Sequence, residues 1–130
     1  MKKLVPFCKK KCAYCDFYSA VFSNQLTDKY LTALKREIKQ WGGKTGRPID
    51  TVYFGGGTPS LMSLGDAERL MDVISAKYDV ANNAEITLEC NPATADLEYL
   101  KRVRRLGVNR LSIGCQSAHE NELKALGRIH

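Results

Sequence analysis

Cys8, Cys12 and Cys15 stand in a C-x-x-x-C-x-x-C spacing, followed directly by Asp16 and Phe17. Thiolates this close can each hold a different iron of a cubane [4Fe–4S] cluster, which ordinarily takes four cysteines. With three, one iron keeps an open position, and an open position is where chemistry happens, as in catalytic zinc sites. Lys9, Lys10 and Lys11 lie between the first two cysteines, where positive charge offsets that of a thiolate-bound cluster.

Two other uses of the cysteines compete with this one. A structural zinc site needs four ligands, typically as two closely spaced pairs. The second pair is missing: Cys90 and Cys115 are isolated in apolar runs, and His119 and His130 form no H-x-x-x-H. A disulfide framework fits poorly with five cysteines, an odd number, and no signal peptide precedes them. Cysteine usage instead fits a reducing cytoplasm. Cys90 and Cys115 are expected to be small buried residues.

The chain has 130 residues and 44% apolar content, enough for one domain with a real core. No stretch approaches the ~20 apolar residues that span a bilayer. The net charge of +6 points to an anionic partner: nucleic acid, a membrane surface or a carboxylate-bearing ligand such as a porphyrin. Most of the basic residues read as solvated helix faces, among them Lys35, Arg36, Lys39, Lys101, Arg102 and Arg105.

The elements that must position the cysteines alternate between short apolar runs and helical periods, the pattern of βα units around a parallel sheet. Strands are expected at 3–7 (cut off by Pro6), 51–54, 85–90 and 110–115. A helix over 28–41 carries Tyr30, Leu31, Leu34, Ile38 and Trp41 on its core stripe and stops at Gly42-Gly43. Ser63 with Asp66 resembles a capping box ahead of Leu70, Met71, Ile74 and Tyr78. Thr94 is expected to cap a helix carrying Leu97, Leu100, Val103 and Leu106. Ser117 with Glu120 predicts another box, with Gly127 closing that helix. These are about four βα units, too few to close an eight-stranded barrel. The fold class is therefore α/β, a parallel-sheet partial (β/α) barrel.

In such folds ligands bind beyond the carboxyl ends of the strands. Four features fall at that edge: the cysteine loop, Gly55-Gly56-Gly57-Thr58-Pro59, Glu89 with Asn91-Pro92, and Gln116. Glycines let the backbone approach a ligand, and their carbonyls and N–H groups can bond an amino group or a carboxylate. Glu89 can accept hydrogen bonds from ribose hydroxyls; its plainer use is an ion pair, with Arg110 as partner. Gln116 offers both a donor and an acceptor.

The ordered set Pro6-Phe7-Cys8, Cys12-x-Tyr14-Cys15-Asp16-Phe17, Phe54-Gly-Gly-Gly-Thr-Pro59, Glu89-x-x-Pro92, Gly114-x-Gln116-Ser117 and Leu126-Gly127-Arg128-x-His130 resembles the oxygen-independent coproporphyrinogen III oxidase family of radical S-adenosylmethionine (SAM) proteins. The resemblance covers the whole chain. It implies that Cys8, Cys12 and Cys15 ligate the cluster, whose open iron takes the methionine end of SAM and whose electron cleaves SAM to methionine and a deoxyadenosyl radical. It implies that Tyr14 packs beside the adenine and that Gly56, Gly57 and Thr58 bind around the methionine amino and carboxylate groups. Glu89, Gln116 and Arg128 match further SAM contacts. Residues 1–130 would then be the N-terminal portion of a radical SAM core domain, with the rest of the barrel and an accessory domain absent.

The family has two branches. The oxidase proper carries a further cysteine two residues after the third ligand, where this chain has Phe17. Asp16-Phe17 resembles the HemW-type heme chaperone branch, so heme or porphyrin is the expected ligand, with a heme-acceptor protein and an electron donor as partners. Family members usually carry Tyr-x-His where Lys2 and Leu4 stand, and that tyrosine contacts SAM in the family. An uncovered strand edge at Leu111 and Ile113 is expected. The alternatives that remain are the radical oxidase, a zinc-binding nucleic-acid module and a radical SAM enzyme acting on tRNA.

Overall fold

A computed structural model describes residues 1–44 and 46–128. Its main sheet has four parallel strands, β1 (Lys2–Val5), β4 (Ile49–Gly56), β5 (Val80–Cys90) and β6 (Arg110–Ile113), side by side in chain order. The strand order never reverses, which is the winding of a barrel rather than of a doubly wound sheet. Between β1 and β4, β2 (Phe7–Cys8) and β3 (Ala20–Val21) form a separate parallel ribbon. The helices are α1 (Asn24–Trp41), α2 (Leu64–Lys77), α3 (Leu97–Arg105) and α4 (Glu120–Ala125). Among the described residues no helix is long and apolar enough to cross a membrane.

Alternation along the strands sorts the two faces of the sheet. Val5, Val52, Phe54, Ile86 and Leu88 meet Leu31, Leu34 and Ile38 of α1, Leu70 and Ile74 of α2 and Val103 of α3 in one buried core. Burying each such side chain is worth roughly 1.5–3 kcal/mol. The opposite face carries Lys2, Tyr53, Thr87, Glu89, Arg110 and Ser112, and its polar character leaves that side to a ligand.

Local chemistry sets the ends. The predicted capping box is present: Ser63 Oγ accepts from the Asp66 N–H at 3.1 Å and donates to Asp66 Oδ2 at 2.6 Å. Gly42 ends α1, its N–H bonding Ile38 O at 3.0 Å. Ser63→Ala is expected to lower the unfolding free energy by about 1 kcal/mol in urea titrations at neutral pH. Burial raises the Asp66 pKa, but the bonds from Ser63 and Arg69 and the charges of Arg69 and Lys35 outweigh it and hold the carboxyl below its ordinary 3.8. A depressed folded pKa gives stability that is present above the unfolded value and lost as pH falls through the folded one. The Ser63→Ala deficit is therefore full at pH 7 and shrinks below pH 3.8.

Several expected boundaries move. The 3–7 strand is two, because Pro6 offers no N–H to the main sheet. The fourth strand ends at Ile113, not 115. α1 starts a turn earlier than 28, with Ser23 Oγ accepting from Leu26 N–H at 3.3 Å. Thr94 caps no helix; it ends a 3₁₀ turn at Pro92–Thr94, and Asp96 caps α3 by accepting from Tyr99 N–H at 2.7 Å. The Ser117–Glu120 box does not form either: Ser117 bonds Glu122 instead, and α4 begins after His119 without a side-chain cap. Trp41 is not core; it is 56% exposed beneath the Lys44 ammonium. Leu111 and Ile113 are exposed, as expected of that edge.

Candidate functional site

The cysteine loop starts where β1 gives out. Pro6 turns the chain off the main sheet, and its carbonyl accepts from Ala20 N–H at 2.7 Å. Cys8 O accepts from Phe22 N–H at 2.9 Å, so both ends of the loop are closed by the β2–β3 ribbon. α1 holds this corner in place: Tyr30 donates its hydroxyl to Leu4 O at 2.7 Å and meets the Phe7 ring edge-on at 5.4 Å. Within the loop, Cys15 N–H bonds Cys12 O at 3.1 Å. Cys8, Cys12 and Cys15 are half-buried thiols outside any disulfide.

The glycine turn at the end of β4 packs directly against the start of that loop. Gly57 N–H donates to Val5 O at 3.0 Å and Thr58 N–H to Phe7 O at 2.7 Å. Thr58 Oγ1 lies 3.4 Å from Cys8 Sγ. Gly56, at φ +123°, holds a backbone conformation that only glycine adopts without strain. Its N–H donates to Glu89 Oε2 at 2.9 Å. All three N–H groups are engaged within the protein.

Glu89, next to last in β5, does not pair with Arg110. That arginine bonds Glu85 at 3.2 Å, four residues before Glu89 on the same face. The partner of Glu89 is Tyr53, whose hydroxyl donates to Oε1 at 2.5 Å. Sequence reading passed over Tyr53, although its place two residues before Gly55 puts it on the ligand face. The bond to Glu89, and then burial, raise the Tyr53 pKa above 10.0, so the phenol remains a donor.

Gln116, beyond β6, is the one non-glycine among the described residues with positive φ, at 64°. Such strain costs about 1–2 kcal/mol and concentrates at functional sites. Arg128, after α4, reaches back across the strand ends. Its Nη2 donates to Gly114 O at 2.5 Å, and its Nη1 lies 3.6 Å from Cys12 Sγ and 3.4 Å from the Tyr14 hydroxyl. Burial raises the Tyr14 pKa and prevails over the opposing Arg128 charge. His130, the last residue of the Arg128 motif, lies outside the described residues.

These groups face one cavity of about 260 Å³. Cys8, Cys12, Tyr14 and Cys15 line it from the loop, Gly56, Gly57 and Thr58 from β4, Glu89 from β5, and Gln116 and Arg128 from beyond β6. Lys9, Lys10 and Lys11 stand at its rim, and Cys90 at its floor, where burial pushes the thiol pKa up to about 11. Cys115 was expected to be buried but is exposed, because the chain leaves the sheet at Ile113.

The donor set fits an iron–sulfur cluster with SAM beside it. Among the described residues no three His, Cys, Asp or Glu side chains converge on a single ion. Cys8, Cys12 and Cys15 lie on one loop and line the same cavity. Among the described residues Arg128 Nε is buried without a hydrogen-bond partner. An unpaired buried guanidinium nitrogen is costly and suits a carboxylate.

A parallel sheet wound in chain order, with a three-cysteine loop after its first strand, defines the class. The profile of the radical SAM superfamily matches residues 3–130, and the chain belongs to that superfamily. The family implies an iron–sulfur cluster and SAM. The chain is 41% identical to the heme chaperone HemW of Escherichia coli K12 and 38% identical to that of Bacillus subtilis 168, each over 97% of its length. It is similar in structure to coproporphyrinogen III oxidase HemN of Escherichia coli, a radical SAM enzyme, with a TM-score of 0.92 and 31% identity over 99% of the chain. The chain spans 34% of each of those two HemW relatives and 30% of the HemN chain.

Proposed function

We propose that this chain binds a [4Fe–4S] cluster through Cys8, Cys12 and Cys15 and holds SAM beside it, as the N-terminal portion of the radical SAM core of a heme-chaperone-like protein. The observation that carries the reading is one cavity shared by the cysteine loop and the carboxyl ends of the main-sheet strands. When bound, the cluster supplies an electron for the reductive cleavage of SAM. The chain's own residues orient the cofactor. Arg128 lines the cavity and supplies a guanidinium for the methionine carboxylate. With the N–H groups of Gly56, Gly57 and Thr58 engaged, the β4 turn has only acceptors left, suited to the methionine ammonium. Glu89 accepts from the ribose, Tyr14 packs on the adenine, and Gln116 completes the wall.

The proposed cargo is heme, passed to an acceptor protein, with a separate electron donor. Phe17 supports this branch, because the oxidase branch has a further cysteine there. A thiolate-held cluster suits the reducing cytoplasm. The similarity to HemN favours a second reading, oxidative decarboxylation of coproporphyrinogen III. Anaerobic product analysis separates the two.

The first test is electron paramagnetic resonance of the anaerobically reconstituted, reduced protein. A [4Fe–4S]⁺ spectrum that changes on adding SAM is expected. A spectrum indifferent to SAM removes the SAM site, and zinc in place of iron and sulfide removes the cluster. Glu89→Ala is expected to keep its iron and sulfide and to weaken SAM binding about tenfold or more by calorimetry. Unchanged affinity takes Glu89 out of the site.

A further inference from the structure

We propose that Tyr53 is a positioning residue of this cavity: its phenol fixes the Glu89 carboxylate so that each oxygen keeps one acceptor site for the two neighbouring hydroxyls of a ribose. The inference deepens the reading of the cavity as a SAM site and rests on it.

The sheet register places the two groups together. Tyr53 pairs with Thr87 and Phe54 with Leu88, so Gly55 and Glu89 come next, on the same face as Tyr53. A Cβ on Gly55 would stand 2.5 Å from Tyr53 Cε1 and 3.0 Å from Glu89 Cδ. The missing side chain is thus the space through which the ring reaches the carboxylate. Lys2, the register partner of Tyr53 on β1, places its ammonium 5.9 Å from the ring centroid and supports the ring from the other side.

A carboxylate has about four lone-pair sites, two on each oxygen. The Tyr53 hydroxyl takes one on Oε1 and the Gly56 N–H one on Oε2. Two acceptors remain, one per oxygen, at the spacing of a carboxylate. A vicinal diol offers two donors at a matching spacing, whereas a deoxy sugar offers one. Without the phenol, Glu89 keeps a single anchor at Gly56 and is free to rotate. Tyr53 thereby sets selectivity for an intact ribose without needing to touch the ligand.

Calorimetry on the reconstituted protein tests this, with S-adenosylhomocysteine and its 2′-deoxyribose analogue as redox-inert probes. The unaltered chain is expected to prefer the ribose form by about tenfold. Tyr53→Phe keeps the ring and is expected to lose about tenfold for the ribose form but little for the deoxy form, so the preference collapses. Gly55→Ala, which keeps the phenol but displaces it, is expected to do the same. Adding Tyr53→Phe to Glu89→Ala is expected to cause no further loss. Iron and sulfide content and circular dichroism confirm that each variant has folded.

Unchanged affinity in Tyr53→Phe overturns the inference. So does an equal loss for both probes, which would mark Tyr53 as a purely structural cross-strand partner. A wild-type chain that binds both probes equally overturns the inference while leaving the SAM site standing. A wild-type chain that binds neither removes both.

Discussion

Cys12→Ala, carried through anaerobic reconstitution beside the unaltered chain, retains less than about a tenth of its iron and sulfide, because two thiolates cannot hold a cubane in this loop. The effect is expected to be local. Arg128 loses one contact at 3.6 Å but keeps its 2.5 Å bond to Gly114 O, and the β2–β3 ribbon that closes the loop does not involve the Cys12 side chain. Circular dichroism should therefore match the parent. Cys115→Ala is the matched control, since Cys115 is exposed and does not line the cavity. It is expected to load fully. Full loading of Cys12→Ala would remove the cluster assignment, and loss of loading in both variants would mean that thiol number, not this loop, governs assembly.

Gly57→Ala is expected to destabilise the protein by roughly 3 kcal/mol and to impair loading as well, a large effect for one methyl group. The added Cβ would stand 2.7, 2.8 and 2.9 Å from the O, N and C atoms of Phe7. All three are backbone atoms, so no side chain can swing aside. The strands cannot simply part, because Gly57 and Thr58 donate to Val5 O and Phe7 O across the same contact. Relief requires moving Phe7, and Cys8 moves with it. Gly65→Ala gives the contrast. Its nearest neighbour is the flexible tip of Arg69 at 3.5 Å, and in the first turn of α2 the change is expected to stabilise by about 0.5 kcal/mol. Urea midpoints for both variants check the pair. A Gly57→Ala midpoint equal to that of the parent would mean that the contact between the glycine turn and β2 is looser than described.

The sheet was legible because its strands are β-rich apolar runs separated by helical periods, and apolar period is a direct consequence of which face is buried. Ser63 with Asp66 was legible because a capping box is local chemistry. Two other cap assignments failed for a reason the sequence does not display. Thr94 was taken by Asn91 O, three residues back, and by Ser60, a contact made only once β4 and β5 lie side by side. Ser117 was taken by Glu122, a residue two further along than the box requires. Trp41 sat on the expected stripe but at the last position of α1, where its ring lies beneath the Lys44 ammonium and not in the core. The cavity-lining residues were found through motif and strand-end logic. Tyr53 was missed because its role depends on a neighbouring strand's register and on the absence of a side chain at Gly55.

The contact between Arg128 and Cys12 joins residues 116 positions apart. A ribosome adds roughly 5–20 residues per second, so the first thiols leave the exit tunnel on the order of ten seconds before the arginine that covers them. Early in that interval the loop lacks its β4 neighbour, and throughout it the loop lacks its far wall. The thiols are then open to oxidants and stray metals, and a cofactor delivered early would find three ligands but no pocket. On the proposed reading, a complete pocket waits for Arg128 to emerge, a delay set by the distance along the chain between the two sides of one cavity.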